Sequence, residues 1–110
     1  MTDTGQVKML KNSRGGHRAY VKKLRKESEK LMEEGAQNID DEQFFAIEAD
    51  IVTNKEIFEE KLEVLKRMDD EIHKLAVSED STLEDDIIEA EENNRILRKM
   101  IVLIDKWLKR

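Results

Sequence analysis

Cysteine and proline are absent from the 110 residues, glycine occurs four times, and aromatic side chains make up 5% of the chain. Without cysteine there is no disulfide scaffold, no thiolate zinc site and no thiol nucleophile. With no proline and so few glycines, the frequent tight turns of an all-β fold are hard to build. Long apolar runs are missing too. The longest, Met100–Ile104, falls far short of the ~20 residues that cross a bilayer. The first ten residues, MTDTGQVKML, carry no signal-peptide core, so a cytoplasmic, helical, non-membrane protein is the expectation.

What is abundant is charge, at 42% of residues, and it is segregated. Residues 1–30 hold nine Lys/Arg against three acids (+6), residues 31–95 hold six against 22 (−16), and residues 96–110 hold five against one (+4). Two readings follow. The basic segments fold back on the acidic middle, or the basic first helix is a nucleic-acid patch built on Lys22, Lys23, Arg25 and Lys26. Acids close by oppose phosphate, and Tyr20 is the single aromatic there, where single-strand binders present several stacking rings.

The periodicity predicts an all-α fold of three helices, at about 17–34, 40–77 and 81–110, behind a flexible basic arm over 1–16. Gly15-Gly16 weaken any helix before His17. Gly35 suits a C′ position because it tolerates φ > 0. Asp40 and Gln43 read as a capping box, with Ile39 and Phe44 as its hydrophobic staple. Ser81 and Glu84 read as a second box. Thirty-eight residues without a breaker make a helix of about 57 Å. A loop as short as 78–80 sets helices two and three antiparallel, as an elongated coiled-coil hairpin.

Helix three carries a heptad stripe, Leu83, Ile87, Ala90, Asn94, Leu97, Ile101, Ile104 and Leu108. Helix two places Phe44, Ile51, Phe58, Leu65 and Ile72 seven apart. Asn94 at a seam position is either tolerated or a register device. A second apolar stripe, Ile96, Met100, Leu103 and Trp107, meets Phe45, Ala49 and Val52 of helix two at one end of the rod. A face that wide needs a cover. A shorter first helix packed at that end supplies it, or a second copy of the chain does. Phe45, Val52, Ile96, Met100, Leu103 and Trp107 are therefore the candidate interaction residues. Towards residues 72–90 the pattern predicts two helices alone.

Catalytic and metal-binding patterns are lacking. Asp70-x-x-His73 is half of a bundle di-metal motif with no second copy. Asp40-Asp41-Glu42 lacks the glycine and alternating ligands of an EF-hand loop. Arg14-Gly15-Gly16-His17 lacks the lysine and hydroxyl of a P-loop. The expectation is a non-enzyme without metal or cofactor.

The order of HRAYVKKLRKESEKLMEE, EKLEVLKRMDDEIHKL and EDDIIEAEENNRILRKMIVLIDKWL resembles the N-terminal helical domain of Gag-like polyproteins of Bel/Pao-type LTR retrotransposons. The nearest pieces are K-L-E-x-L-x-x-x-D-D-E-I and E-x-x-I-x-E-A-E-E, and the likeness spans roughly residues 17–110. Gly15-Gly16 and Trp107 depart from it. The resemblance implies Gag-type self-association or scaffolding through helical packing, with no catalysis of its own. The alternative it implies is RNA binding through Lys22, Lys23, Arg25 and Lys26.

Overall fold

The computed structural model describes the backbone of residues 2–75 and 82–109. It is all-α, an elongated body of 60 × 19 × 16 Å. Three helices follow one another: α1 (Thr2–Gly35), α2 (Asp41–Leu75) and α3 (Thr82–Leu108). Cross-contacts fix their directions. Lys55 of α2 pairs with Asp105 of α3, and Asp69 of α2 lies near Asn94 of α3, so these two run antiparallel. Ser28 faces Asn54 and Arg14 faces Asp69, so α1 also runs antiparallel to α2. The bundle is up-down-up.

The start of α2 follows its capping chemistry. The Gln43 backbone N–H donates to Asp40 Oδ1 at 2.8 Å, and the Asp40 N–H donates back to Gln43 Oε1 at 3.4 Å. Asp41 and Glu42 then sit at the positive end of the helix dipole. The second box falls on Ser81, outside the described residues, as does the expected loop 78–80.

The first helix differs from the expected 17–34. It begins at Thr2, and what was expected as a separate arm over 1–16 is, from Thr2 on, its first turns. It covers the expected end of the rod and runs on past it, so that Lys11, Arg14 and Arg18 meet Asp86 and Glu89 where two helices alone were expected. The reason is a heptad that polar residues disguise. Val7, Leu10, Arg14, His17, Val21, Leu24, Ser28, Leu31 and Gly35 are spaced alternately three and four apart, and every one is buried or half-buried. The stripe passes straight across Gly15-Gly16, which lie on its exposed side.

Gly35 also has a role other than the expected one. No glycine among the described residues has positive φ. Gly35 ends α1 in helical conformation and makes room: a Cβ there would stand 2.6 Å from Trp107 Cζ2. The indole lies over it and stacks on Phe44, ring centroids 5.5 Å apart at 22°. The core runs from this end through Leu24, Ile51, Phe58, Leu65, Leu97, Met100 and Ile104.

The glycines therefore predict opposite signs. Gly15 and Gly16 have open space where a Cβ would go. Gly15→Ala and Gly16→Ala should each stabilise by about 0.5–1 kcal/mol through helix propensity. Gly35→Ala should destabilise by about 1–3 kcal/mol, because a buried ring must shift. Chemical denaturation of the three variants checks both signs.

Candidate interaction surface

The most densely bonded cluster joins all three helices. Arg14 is 6% exposed. Its Nη1 donates to Asp69 Oδ1 and to Asp86 Oδ1, each at 2.8 Å, and its Nη2 donates to Asp86 Oδ2 at 3.1 Å. Around this core, Lys11 Nζ lies 3.5 Å from Asp86, Arg18 Nη2 lies 3.6 Å from Asp69, and Arg18 Nη1 donates to Glu89 at 3.1 Å. His73 Nε2 stands 3.6 Å from Asp86, and Asn94 Nδ2 reaches towards Asp69 at 3.5 Å. Burial pushes the Asp86 carboxyl up, but the hydrogen bonds and charge of Arg14 outweigh it and leave its pKa lowered. Burial likewise works against the Arg14 guanidinium, and its two carboxylate partners more than restore it.

Sequence reading had no signal for this cluster. Arg14 sits beside two glycines, and Asp69 and Asp86 each belong to an ordinary acidic pair. The one cue available was the 3–4 heptad, on which Arg14 falls. Of the two readings of the charge segregation, the fold-back is seen for Lys11, Arg14 and Arg18, against acids of α2 and α3. Further along, Asn54 Nδ2 donates to Ser28 Oγ at 3.0 Å inside the core. Lys61 Nζ donates to His17 Nδ1 at 2.9 Å and lies over the Tyr20 ring.

The six candidate interaction residues do not stay together. Met100 (3% exposed) and Trp107 (9%) are core residues packed among α1 and α2, so α1 covers this part of the tip. Their neighbours on α3, Ile96 and Leu103, face water at 38% and 51%. On α2, Phe45 is 71% exposed and Val52 is 38% exposed. The heptad geometry explains the split. Met100 and Trp107 point between α1 and α2, and Ile96 and Leu103 lie one position further round the helix.

Ile96 stands at the edge of a groove. α1 and α3 meet at Arg14–Asp86 and Arg18–Glu89 towards one end and at Gly35–Trp107 at the other. Between these points they part, leaving a groove of about 360 Å³. Val21, Lys22 and Arg25 line one wall, Ile96 and Met100 the other, and Phe58, Leu65 and Leu97 the floor.

Of the four candidate nucleic-acid residues, Lys22, Lys23 and Lys26 are exposed, and none has an ion pair among the described residues. Arg25 is half-buried, with Nε 3.8 Å from Glu29. Asp70 faces solvent and His73 turns to Asp86, so that half-motif is not brought together. No group of three or more metal-ligating side chains occurs among the described residues. No described helix is long and apolar enough to cross a membrane. No family model, curated protein or solved structure matches the chain.

Removing Arg14 takes from the buried Asp69 its short charge-assisted hydrogen bond and leaves it the longer contacts of Arg18 and Asn94, so Arg14→Met should cost about 3 kcal/mol, read by urea unfolding. The Asp86 pKa lies below its unfolded value of about 3.9. Its contribution to stability is therefore complete above that value and is lost as pH falls through the lower, folded one. Thermal midpoints measured from about pH 5 down to about pH 2 should fall less steeply in Asp86→Asn than in the wild type.

Proposed function

We propose that the chain is a non-enzymatic assembly module that self-associates through helical packing. The observation that carries this reading is the apolar surface left on a body whose core is already complete. Phe45, Ile96 and Leu103 stand in water although α1 has filled the seam beneath them. Exposed apolar faces of this kind mark protein contacts. The likeness to Gag-like N-terminal domains supports the same role, scaffolding in the cytoplasm, with the chain's own copies as partner.

Light-scattering mass tests it. The wild type should exceed the 12.9 kDa of one chain, increasingly so with concentration. Leu103→Glu, at a water-facing position, should keep its helicity and return towards one chain. A wild type of single-chain mass up to about 1 mM, the dissociation constant of a contact worth about 4 kcal/mol, rejects the reading.

A second reading has its own support in the exposed Lys22, Lys23 and Lys26, which have no ion pair among the described residues and suit an RNA backbone. Against it, Tyr20 is engaged by Lys61 and offers no free stacking face on that side. This reading expects affinity for single-stranded RNA that falls steeply with salt. Assembly does not require it.

A further inference from the structure

The groove between α1 and α3 and the exposed edge of α2 are complementary in shape class and in charge. The groove is apolar at its floor and basic along its α1 wall, through Lys22 and Arg25. Arg25 Nε is buried there and has no hydrogen-bond acceptor among the described residues. The first turns of α2 are the reverse. Phe45 and Val52, seven residues apart, project from a stretch whose exposed charges are Asp41, Glu42, Asp50 and Glu56. The one base in residues 41–56, Lys55, is taken by Asp105. An acidic helix presenting two apolar anchors two turns apart is the kind of element that lies in an apolar groove with a basic rim.

One chain cannot fill its own groove with this edge, because α3 lies between them. Asp105 of α3 pairs with Lys55 on the α2 side, and Ile96 and Met100 face the groove on the other. We propose that the α1–α3 groove of one copy receives the Phe45–Val52 edge of α2 from a second copy. The contact is heterologous: each copy offers a different patch to each neighbour. It leaves one groove and one edge free at the ends of any open assembly, so it propagates into chains or closes into a ring. This rests on the self-association reading above and specifies its geometry.

The test uses two variants of the full chain. Phe45→Glu/Val52→Glu removes the edge and leaves the groove. Lys22→Glu/Ile96→Glu blocks the groove and leaves the edge. All four positions face solvent, and circular dichroism confirms helicity. Lys22→Glu alone replaces the second variant if Ile96→Glu loses its fold. Sedimentation equilibrium should find each variant monomeric, with self-association weakened at least tenfold, and their equimolar mixture a 1:1 dimer that grows no further. A mixture that stays monomeric overturns the heterologous contact. So does either variant assembling as the wild type does, and in that case self-association itself stands. A wild type that is monomeric throughout overturns both.

Discussion

One guanidinium holds the three helices in register. Arg14 of α1 is shared between Asp69 of α2 and Asp86 of α3, with almost no exposure to water. Such a group is not a source of large net stability, since desolvating three charges offsets much of their attraction. Its effect is selective. Sliding α1 by one turn along the hairpin would break the short bonds of Arg14 to Asp69 and Asp86, and breaking a buried pair costs several kcal/mol. Apolar seam contacts tolerate such slips far better. Asn54 and Ser28 repeat the device nearer the other end, where a slip would leave a buried amide without its partner. Two polar pins, one at each half of the rod, allow a seam made of ordinary leucines and isoleucines to have one alignment.

That alignment explains the division between core and surface. With α1 laid along its whole length, the side chains of α3 that point between α1 and α2 are sealed, and Met100 and Trp107 are among them. The next position round the helix, occupied by Ile96 and Leu103, escapes the seal. The charge segregation has the same origin. Lys11, Arg14 and Arg18 are spent on the acids of α2 and α3, and the lysines further round α1 remain in water. The surface left over is therefore patterned: apolar and basic in the α1–α3 groove, apolar and acidic at the start of α2.

The helices α2 and α3 were legible from residues alone because their signals are strong and local. A capping box at Asp40, isoleucines and phenylalanines seven apart, and a heptad through Ala90, Leu97 and Ile104 leave little room for another reading. The first half of α1 was not legible for a physical reason. Its seam is held by Arg14 and His17, which count as surface residues until their partners are known, and it crosses two adjacent glycines that disfavour a helix in isolation. Tertiary burial overrides that propensity. Gly35 was read as a backbone device when its meaning is steric, which only the position of Trp107 reveals. The six candidate residues Phe45, Val52, Ile96, Met100, Leu103 and Trp107 were legible only as apolar positions on stripes. Which half of each stripe faces water depends on where α1 lies, and no local pattern encodes that.

Amide hydrogen exchange over residues 7–20 tests the account most directly. If Arg14 pins α1 along the hairpin, these amides exchange only through an opening as costly as that of α2 around Phe58 and Leu65, and Arg14→Met lowers protection over the first half of α1 ahead of the rest. Wild-type exchange over residues 7–20 at the rate of an unstructured peptide, or protection there that Arg14→Met leaves unchanged, would contradict it.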